Sequence, residues 1–232
     1  VTNSNNCSTT SAVRNVTVTA LPTITSGANP SVCRSVTTAN LPYSAPTGTP
    51  NQYSIDYDAT ANGAGFTDVT NAALPASPIV LTVPAAAPVA TYNATLTVRN
   101  STNGCVSNSY PITITVNARP VPTITGAASA CVGSTGNIYT TEAGMSGYTW
   151  TVSTGGTITA GAGSNSITVS WTSTGTKTIT VNYTNANGCN ATTATSHTVT
   201  INANPIATIT GATSFCAGGS LVLSAATSTA GS

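Results

Sequence analysis

The chain has 232 residues, of which five are Lys or Arg, four Asp or Glu and one His, so charged residues make up 4% and the formal net charge is +1. So weak a field excludes recognition of nucleic acid or an anionic membrane surface through charge. Hydrophobic residues reach 40%, yet they stand singly among Thr, Ser, Asn and Ala, and no run approaches the about 18 apolar residues of a membrane-spanning helix. The chain is expected to be soluble, without membrane insertion.

The chain opens on "SNNCSTTSAVRNVTVTALP" at 4–22: Asn-Asn, Cys, a polar stretch, an alternating Thr/Val strand and a proline. "STNGCVSNSYPITITVNARP" at 101–120 and "TNANGCNATTATSHTVTINANP" at 184–205 follow the same plan. Thr-Val alternation favours half-buried strands, because the β-branch prefers extended backbone while the hydroxyl tolerates water. Helix formers are scarce and no stretch has helical periodicity. Short alternating runs bounded by Gly, Pro, Asn and Ser therefore predict an all-β sandwich throughout.

The six cysteines fix a period. Cys33, Cys131 and Cys216 follow "TITSGANPSV", "TITGAASA" and "TITGATSF", whereas Cys7, Cys105 and Cys189 follow Asn-Asn or Asn-Gly. The first kind advances by 98 (131 − 33) and 85 (216 − 131), the second by 98 (105 − 7) and 84 (189 − 105). Two landmarks with matching steps point to tandem repeats. The expected organisation is the end of one repeat at 1–21, whole repeats at 22–119 and 120–204, and the start of another at 205–232, as in a window cut from a longer array.

In the first repeat, "QYSIDYD" supplies a strand bearing Tyr53 and Ile55, and "TDVTNAALPASPIVLTVPAAAPVATYNATLTV" at 67–98 reads as an Ala/Pro-rich, longer strand connection. The second reads as about seven strands. These are "TITG", "NIYTTE", "YTWTV", "TITA" after a Gly-Gly turn, "SITVSW", "KTITVNY" and "HTVTIN", with "NANG" turning the last hairpin and placing Cys189 on it. Tyr148 and Trp150 share a strand face, with Trp171 as their partner across the sandwich or on its rim, so these and Tyr53 are expected in cores rather than on a sugar-stacking platform. The linkers "ALP", "NARPVP" and "NANPIA" are short and Pro-bearing, which predicts a semi-rigid string of beads.

If each repeat holds one cysteine of each kind, Cys33 pairs with Cys105 and Cys131 with Cys189, leaving Cys7 and Cys216 to half repeats. Such a bond ties an opening strand to the closing hairpin at one end of the domain. Six cysteines allow 15 connectivities, and disulfides imply an oxidising, extracellular setting. A zinc site lacks both a CxxC and a second histidine beside His197.

"YTWTVSTGGTITAGAGSNSITVSWTSTGTKTITVNYTNANGC" resembles the PKD-like and immunoglobulin-like repeats of giant surface proteins in bacteria that use the type IX secretion route, gliding adhesins among them. The positions that carry the resemblance are Tyr148, Trp150, Gly155, Gly156, Asn187, Gly188 and Cys189. They specify the fold, so the resemblance implies tandem immunoglobulin-like sandwiches in a stalk, filament or adhesin at the cell surface, not catalysis.

Candidate chemistry is sparse. Asp56 and Asp58 lie two apart on an expected strand and share a face, as general acid/base or calcium chemistry could use, with a solvent-facing strand pair the favoured reading; Asp68 and Glu142 are the other acids. His197 is expected to be exposed, and no G-x-S-x-G elbow accompanies it. A Lys177 isopeptide bond assisted by Glu142 is not a device both repeats share, because the chain has one lysine. Sequons at Asn6, Asn15, Asn93, Asn100, Asn182 and Asn190 leave glycosylation open. No cofactor is expected. The partners expected are neighbouring repeats or copies of the chain, and glycans or surfaces if the array is a binding module. A spacer of a larger secreted enzyme is the remaining alternative.

Overall fold

A computed structural model of the protein describes residues 1–10, 13–211, 214 and 216–227. Two compact units divide at Asn117 and Ala118. The expected half repeat at 205–232 falls partly outside the described residues; within it, Ala207–Thr210 pairs antiparallel with Ser224–Thr227.

In the first unit the elements are β1 (Thr23–Ser26), β2 (Ser31–Cys33), β3 (Thr38–Leu41), β4 (Tyr43–Thr47), β5 (Gln52–Tyr57), α1 (Ala59–Gly63), β6 (Val69–Ala73), β7 (Ile79–Thr82), β8 (Ala90–Arg99) and β9 (Tyr110–Asn117). One five-stranded sheet has the order β2-β9-β8-β5-β6, and the ladders β1-β4 and β3-β7 form the other layer. Its spine is the β8–β9 hairpin, where alternation sends Tyr92, Ala94, Leu96 and Val98 inward against Ile112, Ile114 and Val116. Leu41, Ile79 and Leu81 close the core from the second layer.

Three expectations are corrected here. The stretch read as an Ala/Pro-rich connection carries β6 and β7, because the β-branched runs inside it find an edge of each layer. A one-turn helix, α1, follows β5, where Asp58 caps its start by accepting from the Ala61 N–H at 2.8 Å. Asp58 therefore lies beyond the strand that holds Asp56, and the two carboxylates do not form a strand-face pair.

The second unit contains β10 (Thr125–Gly126), β11 (Ser129–Cys131), β12 (Asn137–Thr140), β13 (Ser146–Val152), β14 (Gly156–Ala160), β15 (Ser166–Trp171), β16 (Gly175–Thr184) and β17 (Thr195–Asn202). They form two four-stranded sheets, β10-β12-β15-β14 and β11-β17-β16-β13. The short β11 escapes the periodicity reading: it is three residues long and joins β17 in parallel, a pairing no local pattern announces. Trp171 is wholly buried and Trp150 8% exposed, with Tyr139, Ile167, Val169, Ile179, Val181, Val199 and Ile201 around them. Gly155 takes the left-handed conformation at φ +90° that turns β13 into β14, and a Cβ on Gly156 would lie 2.5 Å from the Trp171 ring. Tyr53 and Tyr148 are half-buried against their respective cores.

The rings of Tyr139 and Trp171 meet edge to face, centroids 6.4 Å apart, yet the Tyr139 hydroxyl and Trp171 Nε1 each lack a partner at hydrogen-bonding geometry. Burial raises the Tyr139 pKa and the neighbouring indole offsets this in part. A buried polar atom left unpaired costs roughly 1–3 kcal/mol. Tyr139→Phe is therefore expected to leave the urea midpoint of this unit unchanged or higher, whereas Trp171→Ala should lower its stability by about 3–5 kcal/mol. Tryptophan fluorescence reads this unit alone, since both tryptophans lie in it.

Candidate functional site

The features that recur with the same geometry in both units are the turns around the cysteines. Each Asn-Asn-Cys or Asn-Gly-Cys turn places the residue before the cysteine in the left-handed region: Asn6 at φ 61°, Gly104 at 75° and Gly188 at 76°. Gly and Asn are the residues that occupy this region at least cost, which explains the motif's spelling. Around Cys189, Asn185 acts as a buckle. Its backbone N–H donates to the Cys189 carbonyl at 2.8 Å, and its Oδ1 accepts from the N–H groups of Asn187 and Cys189. Asn3 holds Cys7 by the same pattern. Asn185 Nδ2 also donates to the Ala118 carbonyl at 3.1 Å, and Arg119 Nη1 donates to the carbonyl of Asn190 at 3.0 Å. The first residues of the second unit are thus tied onto its Cys189 hairpin.

The other cysteine turn is equally regular. Cys33 is paired in parallel register with Asn117 at the end of β9, and Cys131 with Asn202 at the end of β17. In each case the next N–H, of Arg34 or Val132, donates to that asparagine's carbonyl. The residue two beyond the cysteine is left-handed at Ser35 (φ 69°), Gly133 (83°) and Gly218 (89°), and the Cys33, Cys131 and Cys216 carbonyls each accept from the residue three beyond.

These registers overturn the expected pairs. Cys33 and Cys189 are disulfide-bonded, while Cys7, Cys105, Cys131 and Cys216 are free. Cys33 stands level with the start of β8, because its neighbour on β9 meets Ala90, whereas the Cys105 carbonyl accepts from Asn100 beyond the end of β8. Ten residues of strand separate those levels, roughly 30 Å. Cys131 stands beside Asn202, next to the β16 start, and Cys189 pairs with Asn185 past the β16 end, so the same separation applies. A disulfide needs Cα atoms within about 7 Å. The opening strand and the closing hairpin carry their cysteines to opposite ends of the sandwich, not to one end.

The remaining candidates are scattered. Asp56 is exposed on β5 and shares a shallow groove of ≈ 340 Å³ with Asp68, Ser54, Thr95, Thr97 and Ser109. Asp68 accepts from the Tyr57 N–H. Among the described residues no three His, Cys, Asp or Glu side chains gather as metal ligands. His197, expected in solvent, is half-buried on the inward face of β17. Its ring lies 5.9 Å from that of Tyr139 and its Nε2 lies 3.4 Å from the Ala127 carbonyl. Lys177 donates to Ser173 and Glu142 is bound elsewhere, so the structure does not bring those two together. Of the sequon asparagines, Asn93 donates to Asp58, Asn100 is buried and donates to Gly48 and Thr49, and Asn182 donates to Ala191. Asn6, Asn15 and Asn190 are exposed.

Glu142 is a clamp that composition alone did not reveal. Its carboxylate accepts from the Thr123 N–H and hydroxyl and from the Thr141 hydroxyl, fastening the start of the unit to the end of β12. Desolvation pushes its pKa up, but the Thr123 and Thr141 hydroxyls and the backbone N–H groups of Glu142 and Thr123 outweigh it and bring it to about 2. Beside it, burial and then the Glu142 hydrogen bond and charge push Tyr183 up to about 12.

The profile of the PKD-like domain family matches residues 116–199. The fold is all-β and sandwich-like in both units. Among solved structures, the chain is similar to the D00-D0 domain of intimin, at 16% identity and TM-score 0.38, over 78% of this chain and 99% of that one. Fibronectin(III)-like modules of Clostridium thermocellum CbhA match at 14% identity and TM-score 0.37, over 78% and 95%. Domains 4 and 5 of the S-layer protein SbsC match at 14% and 0.30, over 78% and 98%. A comparison with curated proteins gave no match.

Two outcomes follow from this geometry. Gly188→Val should destabilise the second unit by about 1–2 kcal/mol through backbone strain alone, since no atom stands within 4 Å of the added Cβ. Gly188→Asn should cost much less, as Asn6 shows at the equivalent position; urea unfolding by fluorescence separates the two. Because the Glu142 carboxyl titrates at about 2 in the folded protein against an ordinary 4.5, the unfolded chain binds the extra proton first. The stabilisation is complete above about pH 4.5 and drains away as pH falls toward 2. Glu142→Gln should flatten that acid limb in urea midpoints measured between pH 5.5 and 2.5.

Proposed function

We propose that the chain is a structural segment of an extracellular array of immunoglobulin-like repeats, a stalk or filament at the cell surface that sets reach and stiffness and performs no catalysis. The observation that carries this reading is the threefold recurrence of both cysteine turns: the residue before Cys7, Cys105 and Cys189 is left-handed and the cysteine carbonyl accepts from an asparagine N–H four residues earlier, or five at Cys105, while the residue two beyond Cys33, Cys131 and Cys216 is left-handed and their carbonyls accept from the residue three beyond. A fold built once for one binding site has no need to write each turn three times; an array does. The match to the PKD-like family over 116–199 supports the repeat class, and the bonded state of Cys33 and Cys189 supports an oxidising compartment.

Small-angle scattering of the 232-residue chain tests the reading. Sandwiches arranged in line should give a radius of gyration well above the about 17 Å of a compact chain of this size. A value near that figure, with a single rounded distance distribution, overturns it.

A further inference from the structure

We infer that the free edge of β7, in the first unit, is a strand-acceptor site, filled by residues 16–20 of a second copy of this chain, which add to it as one more antiparallel strand. This does not depend on the array reading; it adds a contact by which separate copies join.

Three observations carry it. First, β7 has an open edge where the corresponding strand of the second unit, β15, has a covered one. Ile79, Leu81 and Val83 are buried in one core as Ile167, Val169 and Trp171 are in the other, and the Val83 and Trp171 N–H groups donate to the carbonyls of Thr37 and Ser134. Alternation then turns the N–H and C=O of Val80 and Thr82 to the other side, as it does those of Thr168 and Ser170. β14 covers that side of β15, pairing Thr157 with Ser170 and Ile158 with Val169. In the first unit β6 joins β5 in the opposite sheet instead, held by the Asn71 N–H on Ser54 Oγ at 2.9 Å, and no ladder among the described residues reaches the free side of β7. Val80 is 56% exposed there. Second, this edge opens onto a crevice of ≈ 90 Å³ lined by Tyr53, Tyr57, Val69, Val80 and Leu81; a cavity of about 150 Å³ takes benzene, so the crevice admits a side chain of valine size. Third, the chain carries a strand of matching chemistry. "VTVTA" at 16–20 differs from the covering strand "GTITA" at 156–160 only at its first and third residues. Val16 and Val18 are 87% and 92% exposed and belong to no ladder among the described residues. Val18 takes the place of Ile158 over the crevice, and Thr17 and Thr19 face water as Thr157 and Thr159 do.

The same copy cannot supply the strand. β1 begins at Thr23, level with Thr47 of β4, and six residues (47 − 41) separate Thr47 from Leu41, which faces the near end of β7 at Ile79. That is roughly 20 Å of strand, whereas the chain from Ala20 to Thr23 reaches at most about 11 Å. Neither β7 nor residues 16–20 contain a charge or a proline that would bar pairing. The contact is heterologous, with the acceptor on one copy and the donor on the next, so each copy gives one strand and takes one, and rings or fibres result.

The test is sedimentation velocity of the full chain, its free thiols alkylated, from dilute to millimolar concentration, with hydrogen exchange read at residues 16–20 and 79–82. The expected result is association that grows with concentration and slows exchange in both stretches. Val18→Asp removes the inserted side chain of the donor, and Val80→Pro removes an N–H of the acceptor that β3 does not use. Each should abolish self-association, and each should keep the parent's melting curve by circular dichroism. Mixed together, the two variants should form one-to-one dimers and nothing larger, because one keeps only the acceptor and the other only the donor. A chain that stays monomeric at every concentration overturns the proposal. So does association that survives Val18→Asp, or a mixture of the two folded variants that stays monomeric. Scattering from the Val18→Asp monomer still tests the array, so the two readings fail separately.

Discussion

In each unit the inward face of one long hairpin, β8–β9 or β16–β17, is closed against the opposite layer by Ile, Val, Leu and aromatic side chains that lose nearly all contact with water. That burial is the constraint from which the rest follows. Alternation with a period of two fixes which residues enter the core, the hairpin's length fixes how far apart the two ends of the sandwich lie, and a short parallel strand is recruited at one end only. The cysteines are placed by this frame. One kind rides on the recruited strand and the other on the hairpin turn, so the same physics that fills the core separates their sulfurs.

A chain with four acids spends three of them on backbone amides. Asp58 caps the single turn of helix, Asp68 accepts from Tyr57, and Glu142 holds Thr123 at the start of the second unit. Hydrogen bonds from amide and hydroxyl groups stabilise a carboxylate without a cation, which suits a surface on which ion pairs would be weak. Asparagine takes a similar part at the turns, where Asn3 and Asn185 each supply one side-chain oxygen to two backbone donors. The fold thus replaces charge with short polar side chains that bond locally.

The strands of the central hairpins, the aromatic core of the second unit and the Asn-Gly-Cys turn were legible because their signals are local: alternation, a bulky side chain on an inward position, a left-handed residue that must be Gly or Asn. β11 was not, since three residues gain strand character only from β17 beside them. The position of His197 was missed although its parity with Val199 and Ile201 on β17 marks it as inward, a signal available in the sequence. The Glu142 clamp links residues 19 apart in the chain, and nothing in either stretch announces the other.

The sequence by itself determined the class: β-branched alternation with almost no charge or helix former leaves sandwiches as the one economical way to bury 40% hydrophobic residues. It also determined the two cysteine turns, whose backbone conformation depends on the few residues that spell them. Tertiary structure alone decided where those turns stand. Whether two cysteines in a repeat meet depends on strand order, and parallel pairing of the opening strand beside the last one carries its cysteine to the far end of the hairpin. Register across a sheet is set by the packing of both layers at once, and no single stretch of chain contains that information.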